Sequence, residues 1–195
     1  MVDNKDIQLL LKNNVSNNFF LRHPTFVASD LIGKILVYKT AEVLLAGIIK
    51  ETEAYTEDDP ASHSYLGKRT KRNQPMFDGP GTIYIYQVYG MHFCLNFSCE
   101  KKGVGSAVLI RELVPLFGLD IMKKNRSVVD SELTNGPAKL VQALGVTPSL
   151  NAVSYHKSPL FVTESTEKTY FNRISQYSRI GVSKGLNVKW RFRGE

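Results

Sequence analysis

Hydrophobic and polar residues alternate along several stretches of the chain, and this period of two is typical of half-buried β-strands. The longest such stretch, GTIYIYQVYGMHFCLNFSC at residues 81–99, alternates on both sides of a break near VYG and predicts a β-hairpin. In its first arm Tyr84 and Tyr86 share one face, while the neighbouring isoleucines occupy the other. Tyr89 lies at the predicted tip, beside Gly90.

Apolar, β-branched runs and helical patterns supply the other predicted elements. Further strands are predicted at residues 34–40, 43–56, 106–115 and 186–194. Helices are predicted from about Pro24 to Gly33, at residues 116–126 and at residues 136–146. Because the strands follow one another through hairpins with helices between them, the expected fold class is α+β. We expect a single domain with a curved, largely antiparallel sheet, flanking helices and a protruding β-hairpin. It spans residues 1–195, of which residues 1–18 are expected to form a poorly ordered N-terminal arm.

The composition indicates a soluble globular protein with a polyanionic partner. Hydrophobic residues make up 43% and charged residues 22% of the 195, and 25 basic against 18 acidic residues give a net charge of +7. Two cysteines are too few for a disulfide framework, so a reducing compartment is expected. The sequence shows no signal peptide and no apolar run long enough for a membrane span. It contains no GxGxxG, Walker A or HExxH motif.

A carboxylate-rich stretch, ETEAYTEDDPASHSYLG at residues 51–67, stands out in this basic chain. On a strand Glu51, Glu53 and Tyr55 share one face, where a partly desolvated carboxylate beside an aromatic ring is suited to general-base catalysis. The alternative is an edge strand with a solvated acidic face. The remaining acids of the stretch are expected to be solvated: Glu57, Asp58 and Asp59.

Aromatic and basic residues suggest contacts with nucleic acid. Tyr89 at the hairpin tip is either a wedge between stacked bases or a tyrosine packed on the protein surface. Two basic groups are candidates for binding backbone phosphates, the alternative being solvated loops: Lys68, Arg69, Lys71 and Arg72, and Lys189, Arg191 and Arg193. The spacing of Cys94, Cys99 and the nearby His92 does not match known zinc sites, so no metal is expected.

Several of these motifs occur in a fixed order that resembles a known family. ETEAY, a histidine eight residues beyond its tyrosine, RNQPMFDGPGTIYIYQVYGMHFCLN, AVLIRELVP and NGPAKLVQALG follow one another between about Phe20 and Arg193. This set strongly resembles the alkyladenine DNA glycosylases, also called 3-methyladenine DNA glycosylases of the mammalian type. One difference is that the loop from Tyr55 to His63 is one residue shorter than in the mammalian relative.

The resemblance implies a role for individual residues. Glu53 matches the carboxylate that positions and deprotonates the attacking water, and Arg111 the arginine that helps to orient it. Tyr89 matches the tyrosine that enters the minor groove and fills the space left by the flipped base. The residues that match the base pocket are Tyr55, His63 and Tyr86 as stacking rings, Asn96 on the floor, and Ile180, whose carbonyl holds the water.

The resemblance also implies an activity. It predicts a monofunctional base-excision-repair DNA glycosylase that flips an alkylated or deaminated purine and hydrolyses its N-glycosidic bond, leaving an abasic site. No cofactor is expected, and the partner is duplex DNA containing damaged purines, bound by a monomer without membrane association. The expected location is the nucleoid-associated cytoplasm of a bacterium or the nucleus of a eukaryote. Two alternatives remain open at this point: a non-catalytic nucleic-acid-binding module, and a nucleoside hydrolase acting on small molecules.

Overall fold

One antiparallel sheet organises the protein in the computed structural model, which describes residues 13–16, 18–165 and 170–195. Within that part of the chain the sheet has eight strands in the order β3-β4-β5-β2-β1-β6, and β8 pairs with both β2 and β7. The strands are β1 (Ile35–Lys39), β2 (Leu44–Tyr55), β3 (Ile83–Val88), β4 (His92–Ser98), β5 (Ala107–Phe117), β6 (Leu160–Thr163), β7 (Ile174–Tyr177) and β8 (Arg191–Gly194).

Three α-helices accompany the sheet in the described part of the chain. They are α1 (Pro24–Leu31), α2 (Leu119–Asn125) and α3 (Pro137–Leu144), and the short 3-10 helices are Tyr65–Gly67, Gln74–Phe77, Asp130–Glu132, Pro148–Leu150 and Tyr155–Lys157. Both α1 and α3 begin with proline. Proline lacks an N–H, but this costs nothing in the first turn of a helix, where backbone N–H groups have no acceptor within the helix. The α+β class, the antiparallel sheet and the β3–β4 hairpin are thereby confirmed.

Some predicted boundaries differ from the structure. The predicted C-terminal strand covers residues 186–194, but β8 begins only at Arg191, where pairing with β2 and β7 starts. Strands β6 and β7 were not predicted, because four residues are too few to establish an alternation. Of the expected N-terminal arm, residues 1–12 and 17 lie outside the described residues. Val15 is buried, and its N–H donates to the Val162 carbonyl.

The hydrophobic core lies between one face of the sheet and the helices. Leu31 of α1 and Leu140 of α3 pack in the same buried cluster as Ile49, Ile110 and other inward residues of the central strands. Within this cluster Phe20 stacks on Phe97 with ring centroids 5.2 Å apart and meets Tyr155 edge-on at 5.0 Å. Among the described residues no helix has the length and apolar character needed to cross a membrane.

Two β-bulges reverse the faces of the central strands beside the acidic stretch. Ile49 opposes Leu113, yet Glu51 opposes Glu112, so Lys50 is an extra residue in β2. An extra residue moves the following side chains to the other face of the sheet. Ile49 therefore faces the core, whereas Glu51 faces away from it.

The second bulge determines the position of Arg111. Glu51 opposes Glu112 and Thr52 opposes Ile110, which makes Arg111 an extra residue in β5. Beyond the bulges Thr52 points under α1, where its hydroxyl donates to the Ala28 carbonyl over 2.8 Å. The face opposite the core then carries acidic, aromatic and basic side chains, as the alternation in ETEAY predicts.

Candidate active site

A cavity of about 440 Å³ opens on this face of the sheet, between β2 to β5, the start of α3 and the loop before β8. Its volume falls in the range of small-molecule sites. The structure brings seven of the predicted site residues together in its wall: Tyr55, His63, Tyr86, Tyr89, Asn96, Arg111 and Ile180. The sequence reasoning missed other wall residues, including Met76, Tyr84, Cys94 and the first turn of α3.

Glu53 lies directly behind this wall, with no solvent-exposed surface. Its Oε2 accepts a hydrogen bond from the Tyr55 hydroxyl at 2.8 Å and an ion-pair contact from Arg111 Nη1 at 3.2 Å. Its Oε1 accepts the backbone N–H of Ile180 at 2.8 Å. Three donors thus hold one buried carboxylate in a fixed orientation.

A second carboxylate stands behind Arg111. Glu51 Oε1 lies 3.5 Å from Arg111 Nε and also accepts from Arg191 Nη1 at 2.9 Å. Arg193 joins Glu51 to Glu112. The three arginines keep the pKa of Glu51 below its usual value, against the opposing effect of burial. Arg111 is therefore held from both sides, by Glu53 at the cavity and by Glu51 behind it.

The aromatic part of the cavity is a packed set of rings. Tyr84 and Tyr86 have ring centroids 5.2 Å apart, and His63 meets Tyr86 edge-on at 4.6 Å. His63 Nδ1 hydrogen-bonds with the Tyr84 hydroxyl at 2.8 Å. Tyr84 shares a strand face with Tyr86 in the sequence, and that alternation was the signal that could have found it.

The protonation states of these rings follow from their surroundings. Burial raises the pKa of Tyr55, and the Glu53 carboxylate beside it raises that pKa further. Burial likewise raises the pKa of Tyr84 and of Tyr86, so all three hydroxyls stay protonated. Partial burial and the nearby arginine at position 72 lower the pKa of His63, so its ring is neutral at pH 7.

Asn96 is fixed in the cavity wall by the backbone. It is buried, and its Nδ2 donates to the Tyr84 carbonyl across the hairpin at 3.0 Å. This hydrogen bond leaves the carboxamide little freedom to rotate away from a ligand. The contact also shows that Asn96 supports the pairing of β3 with β4.

The tip of the hairpin exposes large side chains. Tyr89 is 93% exposed and Met91 is 71% exposed. Neighbouring exposed side chains of this size are typical of a surface that contacts a binding partner. Tyr89 has φ of +49° and is followed by Gly90 at +73°. A type I′ hairpin turn requires positive φ at both of these positions, and tyrosine is uncommon in this left-handed region.

The predicted phosphate-binding cations differ in their contacts. Lys68, Lys71 and Lys189 are exposed. Arg69 donates to the Gly103 carbonyl at 2.9 Å, and Arg72 lies 5.3 Å from the Tyr86 ring centroid. By contrast, the two β8 arginines described above are already paired with Glu51 and Glu112, so their binding to phosphate stays a prediction.

The expectation that all remaining loop acids are solvated was wrong for Asp59. Its carboxylate is buried and paired with the buried guanidinium of Arg179, which no sequence motif had singled out. Glu57 also has an internal contact, since it accepts the Gly105 N–H at 3.0 Å. Asp58 is exposed, though it accepts a hydrogen bond from the Thr56 hydroxyl.

No metal centre is evident in the part of the chain that the structure describes. There, no three or more His, Cys, Asp or Glu side chains are grouped as ligands. Cys94 and Cys99 are buried free thiols, and burial raises the pKa of both. That shift opposes the thiolate form that a metal would need.

Similarity to known proteins agrees with this geometry. Residues 18–195 match the family model described as methylpurine-DNA glycosylase. A protein of Methanoculleus marisnigri is 43% identical over 177 residues, which cover 89% of this chain and 91% of that protein. One of Nitrosospira multiformis is 44% identical over 167 residues (85% and 82%), and one of Chlorobium phaeobacteroides 41% over 180 residues (91% and 89%). All three are provisionally named 3-methyladenine DNA glycosylases. Because the family model covers nearly the whole sequence, the chain belongs to the methylpurine-DNA glycosylase family.

Proposed function

We propose that this DNA glycosylase hydrolyses the N-glycosidic bond of an alkylated or deaminated purine flipped out of duplex DNA, and leaves an abasic site. The observation that carries the proposal is the Glu53 carboxylate, buried behind an aromatic cavity and held by three donors. The names of the relatives point to 3-methyladenine as one substrate. We propose that the protein acts as a monomer.

The chemistry requires one negative charge at a fixed place. As the bond between C1′ and the purine nitrogen breaks, positive charge develops on the sugar, as it does in glycoside hydrolysis. Glu53 stabilises that charge and takes a proton from the water whose oxygen bonds to C1′, while the base leaves with the electron pair. Arg111 and the Ile180 carbonyl orient this water. This chemistry accounts for the Glu53 carboxylate in a chain whose net charge suits it to bind DNA.

The rings select for a flipped and damaged base. Stacking on aromatic side chains contributes about 1–3 kcal/mol per base, which offsets the cost of leaving the duplex stack. A cationic alkylated purine gains about 0.5–2 kcal/mol more from the electron-rich faces of neutral tyrosines. The neutral ring of His63 adds no charge repulsion to this binding.

The decisive experiment is an excision assay on duplexes that each carry one lesion. Substrates are 3-methyladenine, 7-methylguanine, hypoxanthine and ethenoadenine, with undamaged duplex and free nucleosides as controls. We expect release of at least one damaged base, an intact abasic strand, full activity in EDTA and no adduct after borohydride treatment. The borohydride control concerns Lys139, whose amine lines the cavity. Its Nζ donates to Asn135 Oδ1 at 2.8 Å, so we expect it to form no Schiff base with the sugar. Binding without release would indicate a non-catalytic module, and cleavage of free nucleosides alone would indicate a nucleoside hydrolase.

Tyr89→Ser is expected to impair base flipping more than bond breakage. The tip tyrosine is large and exposed enough to occupy the gap left by a flipped nucleotide, and serine is too small to do so. The loss of lesion binding and excision should be larger for lesions in stable pairs than for those in mismatches or bulges, where unstacking costs less. Tyr89→Leu retains bulk and serves as the control. Equal losses in both DNA contexts would mean that Tyr89 is only structural.

Binding is expected to weaken steeply with salt through the exposed lysines of the basic loop, Lys68 and Lys71. Lys68→Ala and Lys71→Ala should each reduce the log–log salt slope by about 0.9, the value for one lost phosphate contact. Lys39→Ala is the matched control, because Lys39 opposes Leu44, at the far end of β2 from Tyr55. Salt titrations of duplex binding measure the slope. A slope that is unchanged in the Lys68 and Lys71 variants would remove these lysines from the DNA-binding surface.

A further inference from the structure

Arg179 is the most deeply buried charged group beside the catalytic carboxylate, and nothing in the mechanism above uses it. Its side chain is 0% exposed and that of Asp59 is 2% exposed. Both terminal nitrogens of the guanidinium bind this carboxylate, with Nη2 2.9 Å from Oδ1. A bidentate ion pair of this kind fixes the orientation of the guanidinium plane as well as its position.

The same guanidinium joins three further segments. Nη1 donates to the Ala54 carbonyl at the end of β2 over 3.0 Å, and Nη2 donates to the Gly185 carbonyl over 3.2 Å. Its Cζ lies 4.7 Å from the ring centroid of Tyr55 and 5.5 Å from that of Trp190. One side chain therefore connects β2, the acidic stretch, the loop that precedes β8 and the residue next to β8.

Two of these contacts adjoin groups that hold Glu53. Ile180, whose N–H donates to Glu53 Oε1, follows Arg179 directly in the chain. Tyr55, which donates to Glu53 Oε2, lies under the guanidinium. Arg179 thus adjoins two of the three donors to the catalytic carboxylate. Ile180 is its neighbour in the chain, and the Tyr55 ring contacts its guanidinium.

Stability alone does not account for this arrangement. A buried ion pair is often no more stable than an apolar pair of the same shape, because both charges lose their hydration. Here Arg179 Nε is also buried without a hydrogen-bond partner among the described residues. The pair does, however, define one geometry of the surrounding segments, which apolar packing would leave less specified.

We propose that Arg179, paired with Asp59, is a positioning residue for base excision, which holds the Ile180 backbone and the Tyr55 ring against Glu53. The inference rests on the proposed function, since it assigns a part in the step that Glu53 performs. Arg179 itself touches neither the water nor the base. Loss of its geometry displaces two donors of the catalytic carboxylate, and small displacements of this kind can cost about 10²-fold in rate.

The first test is Arg179→Lys, which keeps a charge beside Asp59. One ammonium group cannot also reach the Ala54 and Gly185 carbonyls or stack as a plane on Tyr55. With enzyme in excess over lesion duplex, we expect the single-turnover rate constant to fall about 10- to 100-fold. The dissociation constant for lesion duplex should change by no more than roughly threefold, because ground-state binding is largely retained.

A second variant perturbs the same contact from outside the ion pair. A Cβ on Gly185 would lie 2.6 Å from Asp59 Oδ1 and 2.7 Å from Arg179 Nη2, so Gly185→Ala should displace the pair. Gly33→Ala is the matched control, since it adds a Cβ at a similar positive φ with nothing within 4 Å. We expect Gly185→Ala to lower the rate constant and Gly33→Ala to keep it.

The amplitude of the reaction separates positioning from folding. If Arg179 only stabilises the fold, the variants lose active molecules, so the amplitude falls while the rate constant of the remainder stays at the wild-type value. That result, or rate constants within twofold of wild type in both variants, overturns the inference. Inactive wild-type protein would instead overturn the proposed function, whereas a wild-type enzyme that loses activity on changing Glu53 but not Arg179 leaves that function standing.

Discussion

Replacing Glu53 by glutamine is expected to lower the single-turnover rate of base release by at least about 10²-fold, the usual contribution of a general base. Glutamine preserves the size of the side chain but removes the negative charge that stabilises the developing sugar cation and accepts the proton of water. The three groups that surround Glu53 are all donors, so an amide can satisfy them only in part. Binding of lesion duplex should remain close to that of the wild type, because stacking and phosphate contacts are untouched.

The measurement is release of the damaged base with enzyme in excess, alongside the equilibrium affinity for the same duplex. Glu57→Gln is a suitable control, since Glu57 belongs to the same acidic stretch and its contact, the Gly105 N–H, can be accepted by an amide oxygen. The control should retain the wild-type rate. A rate for Glu53→Gln within about threefold of wild type would refute the assignment of Glu53 as the general base.

Changing Asn96 is expected to alter substrate selectivity. Guanine differs from hypoxanthine by its 2-amino group, and a carboxamide on the cavity floor would clash with that group or leave it without a good acceptor. Because the Tyr84 carbonyl holds Asn96 in place, the side chain cannot move aside to admit the amine. The penalty is about 1–3 kcal/mol, which corresponds to roughly 10- to 200-fold discrimination.

Asn96→Ser and Asn96→Gly should therefore raise excision of guanine-type bases relative to hypoxanthine by about 10-fold or more. The ratio of single-turnover rates on the two lesions is the measurement. Both variants also remove the hydrogen bond to Tyr84, so some loss of thermal stability is expected and affects both substrates equally. An unchanged ratio would rule out selection by Asn96 and leave it as a support of the hairpin.

Local patterns were sufficient to predict most of the fold. The alternation in IYIYQV and FCLNFS predicts two paired strands, and both form. Proline at helix starts and glycine after helix ends mark α1 and α3, where Gly33 and Gly145 adopt positive φ. These features depend on neighbouring residues alone, which is why a single sequence reveals them.

The face of each side chain could be predicted only in part. In a regular strand Ile49, Glu51 and Glu53 would share one face, and an apolar residue would accompany the carboxylates. The bulge at Lys50 separates them, and the bulge at Arg111 moves that arginine to Glu53. A bulge depends on how two strands distant in sequence pair, so the pattern of one strand does not reveal it.

Contacts between distant segments decided the environment of each charge. Sequence alone indicated an α+β protein with a basic surface, an aromatic hairpin and an acidic strand end, and through its motifs the glycosylase family. Only the tertiary structure decided that Asp59 is buried against Arg179, 120 residues further along the chain, and that Glu51 neutralises arginines of β8. The physical reason is that the electrostatic energy of a charged side chain depends on its burial and on its partners. Both are determined by chain segments far apart in sequence.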